Sequence, residues 1–309
     1  MAESGPERLA RLRTSLERRA LIYEHIRAFF KERDFLEVET PVLSPAIAPE
    51  EFITPFTSED WFLAASPELH MKRLLAAGYE RIFQFSHSFR KGERGRLHNP
   101  EFIILEWYRA GAGYNEIIED TERMIMKIAA GLGLKNKITY RGNVIDIRPP
   151  WPRLTVKDAY LKAAGWDPVA EPDPLRFDTD FVLKVLPAFS PRRPTVLIEY
   201  PAPVASLARL NPDNRLVAER AEVFIGGLEL ANAYSELTDP AEQEKRFLEA
   251  IEKIRKERGY TMPLPRKFLD ALPRLPRCGG VALGVDRLVM LFCNAASIDD
   301  VMAFTDEEA

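Results

Sequence analysis

Residues 89–102, FRKGERGRLHNPEF, set three arginines, a lysine and a histidine between two apolar, aromatic-rich segments. Guanidinium groups gathered in this way can neutralise phosphate oxygens, and a nearby aromatic ring can floor a planar base. A solvated hairpin tip is the plain alternative for any basic loop. A second group is acidic. In RAEVFIGGLELANAYSEL, a two-residue turn at Gly226-Gly227 pairs Phe224 with Glu229 and sets Glu222 diagonally across from Glu229 on one face. Two carboxylates so placed repel unless water solvates them or a divalent cation bridges them. The flanks AEVFI and LELANA are largely apolar, which favours covered strands and a hard cation such as magnesium, shared with phosphate ligands. The third group is Arg287, in the first helical turn after the glycine-rich GGVALGVD. Backbone there can approach a ligand closely, and unpaired N–H groups carry partial positive charge. Arg287 could clamp a phosphate, or it could pair with Asp286 or another surface acid.

These groups need elements to hold them. RIFQFSHSFR and EFIILEWYR show partial alternation of aromatic and β-branched residues, which predicts two antiparallel strands around the basic loop. Alternation puts Gln84, Ser86, Ser88 and Arg90 on one face, and Phe102, Ile104, Glu106 and Tyr108 on one face of the returning strand. If the two faces coincide, an aromatic ring lies at the loop end and a carboxylate with a phenol lies deeper, a floor for a base and a seat for an amine. Upstream, Ile22, Ile26, Phe29 and Phe30 mark a helix over Leu21–Arg33, and FLEVETPVLSP reads as a short extended run. SPELHMKRLLAAG predicts a helix capped by Ser66, with Pro67 first and Gly78 at its exit. Residues 115–131 read as helix, and ITYRGNVIDI as a hairpin turning at Arg141-Gly142-Asn143. Asp239-Pro240 opens a further helix, with Glu242 placed for a capping box. Strand runs separated by helices predict an α+β fold with a central antiparallel sheet flanked by helices, in one domain, with a variable insertion near 165–195 holding a short helix near 178–186.

Composition bounds the function. The 309 residues carry 43 Lys+Arg against 47 Asp+Glu, a formal net charge of -4, so no global field draws the chain to nucleic acid. Cys278 and Cys293 lack the partners of a zinc site or a disulfide framework, which suits a reducing cytoplasm. The N-terminus has no apolar signal region, and no window approaches eighteen apolar residues, so neither secretion nor a membrane span is expected.

In this order the segments resemble the three motifs of class II aminoacyl-tRNA synthetases: FLEVETPVLSP motif 1, FRKGERGRLHNPEFIILEWY motif 2 and GVALGVDRLVML motif 3. SPELHMKRL, NPEFIILEWY, ELANAYSEL and GVDRLVML are closest to lysyl-tRNA synthetases. Only 34 residues precede the motif 1 segment, where those enzymes carry an anticodon-binding OB-fold, so none is expected here. A lysyl-type catalytic core of this form is similar to the elongation factor P (R)-β-lysine ligase family. Ser66, where lysyl-tRNA synthetases usually have Ala, and Ala282, where they usually have Gly, support that assignment.

The resemblance implies ATP and Mg2+ as cofactors, adenylation of β-lysine and its transfer to a lysine of elongation factor P. It places Arg90 on the α-phosphate and carboxylate, Phe102 under adenine, His98 and Asn99 on the nucleotide, and Arg287 on the γ-phosphate. Glu222 and Glu229 would bind magnesium, Asn232 the substrate carboxylate, and Glu68, Glu106, Tyr108 and Glu236 the two amines, with Ser66 and Ala282 lining that pocket. Asn232 joins this face only if the strand bulges or bends near Ala231–Ala233. Gly92 departs from the usual acid near adenine, with Glu93 one position later, and Ala233 replaces a usual glycine beside Asn232. Motif 1 implies a homodimer. The rival readings are a minimal lysyl-tRNA synthetase with tRNA as partner, opposed by the expected lack of an anticodon domain and by Ser66 and Ala282, and a silent paralogue, disfavoured by the presence of Arg90, Arg287, Glu222 and Glu229.

Overall fold

A computed structural model describes residues 5–306 and 308. Helix α1 (Gly5–Lys31) begins well before the apolar stripe that predicts it, and buries Ile22, Ile26, Phe29 and Phe30. Its polar first half is held by Arg8, which donates to the carbonyls of Ala303 at 2.7 Å and Asp299 at 3.0 Å in the C-terminal segment. The extended run that follows is β1 (Leu36–Glu37) and β2 (Leu43–Ser44), and β3 (Phe56–Ser58) and β4 (Trp61–Leu63) join β2 in a small sheet. Helix α2 (Glu68–Ala76) leads to β5 (Arg81–Phe89) and β6 (Glu101–Ala110), the strands around the basic loop. Next come α3 (Tyr114–Gly131), the hairpin β7 (Lys137–Tyr140) and β8 (Asn143–Asp146), then β9 (Arg153–Thr155) and α4 (Val156–Ala164). Arg141 and Gly142, with φ of 47° and 79°, form the hairpin's two-residue turn, so Asn143 already belongs to the strand.

The helix expected near 178–186 starts earlier, as α5 (Pro174–Asp180) capped by Asp173, and continues into a wider π turn over Phe181–Val185. Phe177 and Val185 pack with Tyr160, Trp166 and Phe224, so the 165–195 stretch covers the sheet and has a core of its own. The chain then adds β10 (Thr195–Pro201), β11 (Val217–Ile225), β12 (Leu228–Ser235), α6 (Pro240–Arg258), the short α7 (Arg266–Leu269), β13 (Cys278–Gly284) and α8 (Val285–Cys293). Asp239 caps α6 by accepting from the Ala241 and Glu242 amides, but Glu242 turns away to pair with Arg246, leaving the capping box half made. Both cysteines are free thiols.

Eight strands form the central sheet in the order β1-β5-β6-β13-β12-β11-β10-β9. The six inner strands are antiparallel as predicted, while the edge strands β1 and β9 pair in parallel. One face packs Phe83, Leu105, Trp107, Val223, Val281 and Leu283 against α1, α3 and α8, which makes the main core. The other face carries the polar set and lines a cleft. No described helix is long and apolar enough to cross a membrane.

Candidate active site

A cavity of about 1020 Å³ opens on that second face. One register row builds its floor: Glu222 on β11 pairs Asn232 on β12, Asn232 pairs Ala282 on β13, Ala282 pairs Glu106 on β6, and Glu106 pairs Gln84 on β5. Gly226 and Gly227, at φ of 61° and 81°, make the left-handed turn that a two-residue hairpin needs. Phe224 therefore pairs Glu229. The required irregularity is present slightly earlier than expected. Val223 pairs Ala231, so Leu230 is the extra residue, and Asn232 returns to the face of Glu222 and Glu229. Ala233 lies fully buried in the core on the opposite face, so it does not tighten the pocket beside Asn232.

Of the residues singled out from the sequence, Ser66, Glu68, Arg90, Glu93, His98, Asn99, Phe102, Glu106, Tyr108, Glu229, Asn232, Glu236, Ala282 and Arg287 all line the cavity. Glu222 lies just behind the wall, where its carboxylate accepts from Arg220 at 2.6 Å. At one end Arg90 sits 5.2 Å over the Phe102 ring and 3.8 Å from Glu93. Arg287 does not pair with Asp286. That acid is held by Arg19 of α1 at 2.6 Å and by the Ile103 amide at 2.9 Å. Arg287 instead donates to the carbonyl of Glu229 at 3.0 Å and to His98 Nε2 at 2.7 Å. Burial and the Arg287 charge lower the His98 pKa, which suits its accepting role. Asn99 faces the cavity, yet both ends of its amide are engaged: Nδ2 donates to the Glu101 carbonyl and Oδ1 accepts from the Asp306 amide at 3.1 Å. Arg94 pairs with the Asp306 carboxylate, so the basic loop is latched to the C-terminal segment. Gly92 has φ of 85°, a backbone state that an acid in its place would occupy under strain.

At the other end, α2 starts at Glu68 with Pro67 and not Ser66 at the N-cap position, while Ser66 Oγ accepts from the Glu68 amide at 3.0 Å and donates to Glu106 Oε1 at 2.6 Å. Tyr108 donates to Glu106 Oε2 at 2.8 Å. Lys72, absent from the sequence reading, is fully buried between Glu68 and Glu236. Its signal was the four-residue helical spacing from Glu68. Desolvation first, then the charge of Glu68, pushes Glu106 up to about 8; desolvation also leads for Glu236, at about 8 against the pull of Lys72. Gly280 was likewise missed. A Cβ there would lie 2.2 Å from the Tyr108 ring and 2.5 Å from a Glu236 oxygen. Arg220, two residues before Glu222 on the same face, stacks on Tyr200 at 4.5 Å and holds Glu222 in place.

The Glu229 side chain is 46% exposed and lines the cleft. Desolvation first, then the Glu222 charge, raises its carboxyl pKa. Two crowded carboxylates of this kind fit a divalent cation. No cluster of three or more metal-ligating side chains occurs among the described residues, so such a cation would complete its shell from a ligand.

The family model for class II tRNA synthetases (D, K and N) matches residues 7–308. The chain belongs to the class II tRNA synthetase family. Within it, the chain is 38% identical over 310 residues to the elongation factor P--(R)-beta-lysine ligase of Vibrio atlanticus (strain LGP32), covering 94% of each chain. It is 38% identical over 312 residues to the enzymes of the same name from Salmonella paratyphi B and Salmonella agona, covering 96% of each chain. The sheet and its flanking helices make up the chain's class II synthetase-like domain.

Proposed function

We propose that this chain is an ATP-dependent ligase that adenylates (R)-β-lysine and transfers it to the ε-amino group of one lysine of elongation factor P. The observation that carries this reading is the charge count of the deep pocket. Glu68, Glu106 and Glu236 face one internal cation, Lys72, so two negative charges are in excess when all are ionised. A diamino acid brings two ammonium groups and balances them. Ser66 and Ala282 beside Glu106 shape the space around those amines, and the relatives' name supports the β-isomer.

In the first step the substrate carboxylate, already an anion, attacks the α-phosphorus of ATP in line and displaces pyrophosphate, so no base is required. Arg90 and Arg287 offset the charge that develops on the phosphoryl oxygens. Asn232, whose Oδ1 is buried without a partner, would orient the substrate's carboxylate end, and Phe102 would carry the adenine. Magnesium, held by Glu222 and Glu229 with phosphate oxygens, would supply further charge to the pyrophosphate. The enzyme would act in the cytoplasm as one catalytic domain and as a homodimer through motif 1.

The test is aminoacyl transfer by the purified protein with ATP and magnesium, offering α-lysine or either β-lysine enantiomer to elongation factor P and to lysine tRNA. A mass gain on the factor, greatest with (R)-β-lysine and absent in Glu229→Ala, is expected. Charging of tRNA with the factor unmodified would make the protein a minimal lysyl-tRNA synthetase.

A further inference from the structure

The second step needs a proton acceptor. An ε-ammonium must lose a proton before its nitrogen can attack, and none of the groups placed above is free to take one. The acids of the amine pocket are tied to Lys72, Ser66 and Tyr108. Glu93 lies against Arg90, Glu229 against Arg287, and the cavity-facing acids of α6 against that helix's own arginine and lysine. Glu50 differs. It lines the same cavity, half-buried, on the loop between β2 and β3. Among the described residues, no hydrogen bond or ion pair engages its carboxylate.

The loop holds Glu50 inward by its neighbours. Lys253 of α6 pairs with Glu51 at 3.0 Å, Arg258 donates to Thr54 Oγ1 at 2.5 Å, and the Lys91 amide of the basic loop donates to the Thr54 carbonyl at 2.8 Å. The Ile53 amide donates to the Glu50 carbonyl at 3.3 Å, closing a turn with the acid at its start. The charged groups facing Glu50 are Arg90 and Glu93 of the basic loop, Glu68 of α2 and Arg220 of β11. On the ligase reading Arg90 meets the phosphate and carboxylate and Glu68 an amine, and Glu50 lines the cavity that holds both. We propose that Glu50 is the general base of acyl transfer, accepting the proton of the incoming ε-ammonium. The inference rests on the ligase reading given above.

Written out, the ammonium gives one proton to the Glu50 carboxylate, and the neutral nitrogen attacks the acyl carbon of the adenylate. The bond from that carbon to the phosphate oxygen breaks. The second proton on nitrogen leaves with AMP, and Glu50 returns its own to solvent. Burial leads in raising the Glu50 pKa, helped by Glu68 and Glu93 and opposed by Arg90 and Arg220, which brings it nearer to an amine that the cleft has partly desolvated.

The experiment compares wild type, Glu50→Gln and Glu50→Asp. Adenylation is read by ATP–pyrophosphate exchange, and transfer by rapid quench from preformed adenylate. Acceptors are elongation factor P, Nα-acetyllysine amide and hydroxylamine, the last of which is unprotonated at neutral pH and needs no base. For Glu50→Gln, transfer to either lysine amine relative to adenylation falls about 100-fold or more. Transfer to hydroxylamine is kept, Glu50→Asp recovers part of the loss, and the rise of the wild-type rate with pH flattens in the glutamine variant. Equal transfer to lysine amines by wild type and Glu50→Gln, or a parallel loss with hydroxylamine, overturns the proposal. Wild-type transfer to the small amine but not to the factor would sink the ligase reading and leave Glu50 as the base.

Discussion

Glu106 and Glu236 are carboxyls that burial drives toward about 8, and that makes ligand binding a protonation event. Near neutral pH the free pocket holds part of a proton load on these acids; two incoming ammonium groups favour their ionised forms and expel it. Calorimetry of β-lysine binding near neutral pH, in buffers of different ionisation enthalpy, should therefore show net proton release, reduced in Glu106→Gln. Identical heats in all buffers would refute it. The same groups set the sign for stability. Between the ordinary glutamate value of about 4.3 and about 8, the folded chain binds more protons than the unfolded one. The contribution of these two groups to the stability of the free protein is thus full below that window and declines as pH rises through it. A melting series across the window should show the decline, and saturating β-lysine should lessen it.

At the scale of the strand, β13 matters through what it lacks. Gly280 leaves a gap that Tyr108 and Glu236 fill, and a methyl there must displace one of them. Gly280→Ala should cost about 1–3 kcal/mol of stability. It should raise the KM for β-lysine far more than that for ATP, and equal changes in the two constants would contradict this. The alternation of β5 and β6 was legible in part, because Phe83 and Phe85 share one face and Gln84, Ser86 and Ser88 the other, but the pairing of Glu106 with Gln84 across a long loop was not. The Gly226-Gly227 turn fixed the Glu229 pairing by its length. The bulge was legible in kind, because Asn232 could not otherwise reach the acidic face, but its place at Leu230 depends on core packing that strand periodicity does not encode. Lys72 and Arg220 escaped notice because a buried cation is visible only once its acids are seen around it. The basic loop's latch to Asp306 joins residues 212 positions apart, beyond any local signal.

Across the whole molecule, Leu36 and Val42 of the motif 1 segment are exposed at 50% and 37%, and Trp61 of the strand pairing β2 at 45%. If motif 1 forms the homodimer proposed above, these side chains should be covered in it. Leu36→Asp with Val42→Asp should convert dimers to monomers in sedimentation velocity, and an unchanged coefficient would place the contact elsewhere. One last consequence follows from the register row. Asn232 and Glu106 stand two strands apart, a separation of about 10 Å set by backbone hydrogen bonds and not by flexible side chains. The sheet is a ruler laid along the substrate, with one mark for the carboxylate and one for the distal amine. Ornithine, one methylene short, can meet only one mark at a time, and the pocket should reject it by length before chemistry begins.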